Sequence, residues 1–237
     1  MQNKNLLPSA FCPLPSLDAA TDNPNFKWEK QTRRYRNKQT GRFVSKEAVY
    51  TLTVSRIELA KTDLDTLGQL LLDNKISLKS WQQQTAESLK ILHTQQYLLG
   101  VGGQKDLLGV GGQKAIQKSD YLEIARELKN QYQYLRNFAI DLTQGKMTEA
   151  QFKARSGMYA DAAKVSYFRG EKVAAARAGF THARRILGLA EHCIDCPQIA
   201  ALGIVSIKDV IFPTQQCSCR IRCKCRLEFL NPEEAIA

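Results

Sequence analysis

The chain has 237 residues, 43% of them hydrophobic, enough for one large domain or two small ones around a packed core. It contains no apolar run long enough to cross a bilayer, and its first residues lack the basic start and sustained apolar stretch of a secretory signal. A membrane span is thereby excluded, and synthesis and folding in a reducing cytoplasm are expected. The 34 basic against 23 acidic side chains give a net charge of +11, which either points to an anionic partner, nucleic acid or an acidic protein surface, or serves solubility alone.

Residues 1–26 carry Pro8, Pro13, Pro15 and Pro24 with no periodic pattern, and read as an extended arm. Residues 27–46 hold Lys27, Lys30, Arg33, Arg34, Arg36, Lys38, Arg42 and Lys46 against the single acid Glu29. Within them Tyr35 and Phe43 flank a polar turn from Asn37 to Gly41, which predicts a short basic hairpin. Arg33, Arg34, Arg36, Lys38 and Arg42 are the candidate contacts to an anionic partner. Ser45 is a candidate N-cap, with Glu47 in the first turn.

Residues 47–190 read as a helical body. Val49, Leu52, Ile57, Ala60, Leu64, Leu67 and Leu71 recur at helical spacing, with Asn74 as the stop. Ser77 caps a second helix striped by Leu78, Trp81, Ala86, Leu89, Leu92 and Leu99. The connection is short enough to require antiparallel packing. A Gly-rich linker at 98–118 then repeats the unit LLGVGGQK. It is not a phosphate-binding loop, because Lys105 and Lys114 are followed by Asp106 and Ala115 rather than Ser or Thr, and a helix precedes it. Asp120 and Glu123 predict a capping box for a third helix, striped by Tyr121, Ile124, Leu128, Tyr132, Leu135, Phe138 and Leu142 and ended by Gly145. Thr148 and Gln151 predict a second box for a fourth helix through Phe152, Tyr159, Ala162, Val165 and Phe168. Gly170 and Gly179 are its candidate breaks, and a last helical piece is expected to hold Arg177, Arg184 and Arg185. The fold class is therefore mainly α: a bundle of four to five helices, a short basic N-terminal hairpin, and a small Cys-rich, partly β C-terminal lobe at 191–237. Strands in that lobe are expected near 203–207 and 226–229.

Six of the seven cysteines fall in that lobe. Cys193 and Cys196 form C-x-x-C, which brings two thiolates within reach of one tetrahedral ion; Cys217, Cys219, Cys223 and Cys225 follow after twenty residues. A lobe of this size buries little apolar surface, and a metal staples it where a disulfide does not persist. Cys193, Cys196, Cys219 and Cys223 are the expected ligands of a structural Zn2+, with Cys225 able to replace Cys223 and Cys217 spare. His192 reads as a supporting or surface group able to replace a thiolate. Disulfides, a redox C-x-x-C or simply reduced thiols stay open as alternatives. With only His93, His182 and His192, no H-E-x-x-H, no G-x-S-x-G and no acid–base pair, the chain does not read as an enzyme.

The closing segment RRILGLAEHCIDC…ALG…CRIRCKCRLEF resembles the end of the minor head, or head-morphogenesis, proteins of tailed bacteriophages of the Mu F-like kind. Cys193, Cys196, Gly203, Cys219, Cys223 and Cys225 carry the likeness. YRNKQTGRFVSKEAV, ISLKSWQQQTAESLKILH and QYQYLRNFAIDLTQGKMTEAQFKARSGMYADAA extend it over the helical body. The chain departs from the family at Arg222, often Asn there, and in carrying Cys217 and the repeated glycine unit. The resemblance implies a virion structural protein, made in the host bacterial cytoplasm and present in several copies near the portal. Its implied partners are portal or capsid subunits and, through phosphates, packaged DNA. A zinc-ribbon-like nucleic-acid-binding regulator is the alternative expectation.

Overall fold

The computed structural model describes residues 26–29, 34–37, 39–43, 46–102, 117–189 and 191–236. The proline-bearing arm through residue 25, Arg33, Lys38, the Ser45 cap and residues 103–116 of the glycine unit lie outside the described residues.

β1 (Phe26–Glu29) and β2 (Arg34–Asn37) form an antiparallel hairpin, with Trp28 opposite Tyr35. The expected turn follows: the Asn37 carboxamide oxygen accepts the Gln39 and Thr40 amides at 2.8 and 2.9 Å, Gly41 takes φ +67°, and Arg36 bridges to Phe43. An Asn side chain that mimics a backbone turn in this way, followed by a left-handed Gly, is why the chain reverses here.

Among the described residues the body is four long helices: α1 (Lys46–Leu72), α2 (Leu78–Gly102), α3 (Lys118–Thr143) and α4 (Glu149–Arg177). Their ends follow local chemistry. After α1, α3 and α4 the chain turns through Asn74, Gly145 and Gly179, at φ of 56°, 62° and 91°. At each, the next amide reaches back to a free helix carbonyl: Lys75 to Leu70, Lys146 to Asp141 and Phe180 to Ala175. The Ser77 hydroxyl accepts the Ser80 amide, and the Thr148 hydroxyl and Gln151 carboxamide accept each other's backbone amides, as expected. The α3 box sits one frame earlier than the sequence predicts. Gln117 is the N-cap, and the Asp120 carboxylate accepts its amide at 2.7 Å.

α2 and α4 run parallel at the centre and make the most extensive helix contact, with α1 and α3 antiparallel beside them. Gly170 does not break α4. A Cβ on Gly170 would collide with the Tyr97 carbonyl, and one on Gly100 with the Tyr167 carbonyl, so the two glycines let the central helices cross with backbones touching. The main core gathers Ile57, Leu64, Trp81, Leu89, Leu135, Phe138 and Phe152. Phe138 lies at its centre, its ring centroid 5.4 Å from Trp81 and Phe152 and 5.7 Å from Tyr159.

The C-terminal lobe begins earlier than its cysteines. Residues 182–186, expected to continue the helices, form β3 (His182–Ile186), which pairs antiparallel with β4 (Val205–Ser206) on one edge and β5 (Arg226–Leu230) on the other. Arg184 and Arg185 therefore point to opposite faces of a strand, exposed and buried respectively. The short α5 (Asp195–Ala201) follows. Leu227 and Phe212 of the lobe share a core with Leu99, Tyr167 and Phe168 of the body, and Lys172 lies over the Phe212 ring while bonding the Lys208 carbonyl at 3.1 Å. This apolar seat holds the cysteines against α4.

Candidate metal centre

In most small lobes the centre is aliphatic or aromatic. Here it is sulfur. Cys196, Cys217, Cys223 and Cys225 are buried and pack together, with Cys193, Cys219 and Ile199 half-buried against them. All six lobe cysteines are free thiols.

Three elements bring them in. α5 starts at Asp195, so Cys193 and Cys196 occupy its entry turn, with the Cys196 amide on the Cys193 carbonyl. The Asp195 carboxylate accepts both the amide and the hydroxyl of Ser218, at 2.6 and 2.7 Å, and so clamps the turn to the segment carrying Cys217 and Cys219. A 3-10 turn (Arg220–Arg222) then delivers Cys223, and Cys225 leads directly into β5.

The sulfurs form a continuous cluster. Cys193, Cys196 and Cys219 make a triangle with sides of 3.5, 3.4 and 3.4 Å. Cys223 lies 3.7 Å from Cys196, and Cys217 3.6 Å from Cys219. Two groups of donor atoms each lie within 4.8 Å of one another: Cys196, Cys217, Cys219 and Cys223, and His192, Cys196 and Cys225. Two thiolates at about 2.3 Å from a tetrahedral ion sit about 3.8 Å apart, so the observed separations fit a four-coordinate metal.

The electrostatics divide the thiols, favouring the thiolate at Cys193 and Cys223 and opposing it at Cys196, Cys219 and Cys225. Burial opposes charge on Cys193, but donors from Cys219, Ser218 and Cys196 outweigh it and bring its pKa down to about 6. Burial likewise opposes the Cys223 thiolate, while the Cys225 and Thr214 amides bring it to about 7. Burial pushes Cys219 up to about 12 and raises Cys196 and Cys225. Two buried cations border the cluster. Arg185 places one guanidinium nitrogen 3.9 Å from the Cys196 sulfur and another on the Ile211 carbonyl at 3.0 Å. The Lys164 ammonium, brought down to about 8 by burial, donates to the Cys223 carbonyl at 2.9 Å.

The loop around the cluster is strained. Thr214, Gln216 and Arg220 adopt φ of 81°, 50° and 44°, conformations that cost residues with a Cβ about 1–3 kcal/mol each. A loop of this kind keeps its shape only if something over-determines it, and the sulfur cluster is what it surrounds.

All five sequence-predicted ligands, Cys193, Cys196, Cys219, Cys223 and Cys225, lie in this cluster. Cys217, expected to be spare, lies in it too, and His192 faces Cys225, its Nδ1 3.9 Å from the sulfur. Arg185, expected in a last helical piece, and Lys164, which no motif marks, reach the cluster only through the long-range pairing of β3 and the docking on α4. Arg220, Arg222, Lys224 and Arg226, threaded between the cysteines, are exposed. Among the basic candidates at the hairpin, Arg36 lies 4.3 Å from the Phe43 ring centroid and bonds the Gly41 carbonyl, Arg42 is exposed, and Arg34 stands on β2 opposite Glu29. No helix of the described residues is long and apolar enough to cross a membrane. Comparison with protein-family models, curated proteins and solved structures finds no match.

Proposed function

We propose that this chain is a structural protein of a tailed-phage or prophage head, of the minor head kind, whose C-terminal lobe is held together by zinc. The observation that carries the reading is the sulfur cluster at the end of a helical body. Of the cysteines on which the resemblance rests, Cys196, Cys219, Cys223 and Cys225 lie in donor groups that could hold a metal, and the Cys193 sulfur lies 3.5 and 3.4 Å from those of Cys196 and Cys219. The cluster supplies sulfur donors, most of them buried, and buried cationic neighbours, which suits a closed structural site rather than an open hydrolytic one. Zinc would be held by Cys193, Cys196 and Cys219 with a fourth sulfur from Cys217 or Cys223, and would fix the strained loop at 214–220. The helical body, with its lobe docked on α4, is then the rigid part that binds portal or capsid subunits. The basic hairpin meets packaged DNA through phosphates, with a steep salt dependence and no sequence preference. The test is co-purification: the protein is expected in proheads and virions at a fixed copy number, and its absence from both removes the reading.

One feature favours the zinc-ribbon regulator as a second reading. Arg220, Arg222, Lys224 and Arg226 form an exposed basic run over the cluster. A gel-shift titration separates the two: the regulator requires discrimination between DNA sequences, whereas the head protein requires none.

A further inference from the structure

The zinc reading above leaves donors over. One four-coordinate ion uses four ligands, yet six thiols and one imidazole converge here. The surplus is not at the margin. Cys225 is fully buried and Cys217 nearly so, packed among other thiols with the half-buried Ile199 against the cluster. Two separate four-coordinate ions would need eight donors; two that share one ligand need seven.

The shared ligand is identified by position. Cys196 belongs to both donor groups, is wholly buried, and its sulfur touches those of Cys193, Cys219 and Cys223. The second group contains His192, whose ring is already oriented as a metal ligand's would be. Its Nε2 donates to the Gly188 carbonyl at 2.8 Å, which leaves the Nδ1 lone pair directed at the Cys225 side. Metal-bound imidazoles characteristically give their other N–H to a carboxylate or a backbone carbonyl, which fixes the tautomer. Gly188 makes that possible: a Cβ there would collide with the Lys224 carbonyl, so only glycine lets this segment lie against the residue between Cys223 and Cys225.

We infer that the lobe holds two zinc-class ions bridged by the Cys196 thiolate, with Cys217 and Cys219 in one site, His192 and Cys225 in the other, and Cys193 and Cys223, at 3.5 and 3.7 Å from the Cys196 sulfur, supplying the two remaining ligands. This rests on the zinc reading above and deepens it. Six thiolates around two divalent ions leave two negative charges, and the two buried cations at the cluster, Arg185 and Lys164, match them.

The experiment is metal stoichiometry on the full chain purified under reducing conditions, by elemental analysis against total sulfur and by native mass spectrometry. It is paired with 113Cd NMR of the cadmium-exchanged protein. Two zinc ions per chain are expected, and two cadmium signals that split one another through the shared sulfur. His192→Ala and Cys225→Ser should each halve the metal content while helical circular dichroism is retained. One zinc per chain and a single cadmium signal, unchanged by His192→Ala, overturn the bridged pair but leave the single-zinc lobe standing. Iron with acid-labile sulfide overturns the assignment to zinc, and a folded chain with no metal overturns both readings. The NMR measurement on the unmutated protein decides the matter even if a variant fails to fold.

Discussion

The helical body and the Cys-rich lobe solve the same problem with different material. The body buries Trp81, Phe138, Phe152 and their neighbours, and its four helices supply enough apolar surface to pack in layers. The lobe's three short strands and one short helix bury Leu227 and Phe212 by leaning on α2 and α4, and its own centre is sulfur. The difference teaches where stability is sought when a segment is small: the body keeps its fold through area removed from water, whereas the lobe gathers Cys and His donors within reach of a metal that would tie it together.

Chelation should break the comparison open with the largest effect. Structural zinc contributes about 10–16 kcal/mol of apparent binding free energy in small metal-folded peptides, more than the net stability of most domains. A strong chelator under reducing conditions is expected to make all six lobe thiols reactive to alkylation while most of the far-UV helical signal persists. Thiols that stay protected after the metal is gone would show that the lobe does not depend on it.

Phe138→Ala tests the other half. Its ring contacts Trp81, Phe152 and Tyr159, and Arg155 lies over it at 4.7 Å. Removing it leaves a cavity between α2, α3 and α4 and should cost about 3–5 kcal/mol in denaturant unfolding. Metal content should be unchanged, because no atom of this cluster borders the sulfurs.

Acid should act on the two regions by different routes. His93 is fully buried between α2 and α4, with Nδ1 2.8 Å from the Ser166 hydroxyl; burial first, then the nearby Arg169 charge, lowers its pKa from 6.5 to about 3. The unfolded chain takes up a proton below 6.5 that the folded chain refuses. The His93 contribution is therefore whole above pH 6.5 and is lost as pH falls towards 3, by about 1.4 kcal/mol per pH unit. Unfolding curves of His93→Gln should show a shallower acid slope than the parent. Metal release over the same range, from proton competition for thiolates, should be the same in both. Equal slopes would mean His93 is not held neutral.

How much of this the residues announced depends on the range of the interaction. The four body helices, the stops at Asn74 and Gly145, and the Thr148–Gln151 box are legible because each is decided within one or two turns of chain. The cysteine cluster is legible because C-x-x-C and the two C-x-C pairs sit close in sequence. What was not legible is what distant partners decide. Residues 182–186 read as a basic helical end until Arg226–Leu230, forty residues on, supplies hydrogen bonds to β3. Gly170 reads as a break until Gly100 supplies the opposing backbone. Cys217 reads as spare until the fold sets its sulfur 3.6 Å from that of Cys219, since membership of the cluster is a property of the assembled lobe and not of a spacing.

The smallest effect sharpens the same point from the local side. Thr148 caps α4 by accepting the Gln151 amide at 3.3 Å while the Gln151 carboxamide oxygen accepts the Thr148 amide at 2.9 Å. Both bonds are exposed, so Thr148→Ala loses a cap without leaving a buried orphan and should cost about 1 kcal/mol. The helix it starts is also the one that seats the lobe, through Lys164, Tyr167 and Phe168. If body and lobe are separate cooperative units, the loss appears in the body's unfolding midpoint alone, and metal dissociation is unaffected. If the dock on α4 couples them, the variant releases metal at a lower denaturant concentration as well, by the same free energy. Thermal or urea unfolding, followed in parallel by circular dichroism and a zinc-chelating dye, distinguishes the two outcomes. The shared core of Leu99, Tyr167, Phe168, Phe212 and Leu227, with the ring centroids of Tyr167 and Phe168 5.4 Å apart, argues for coupling.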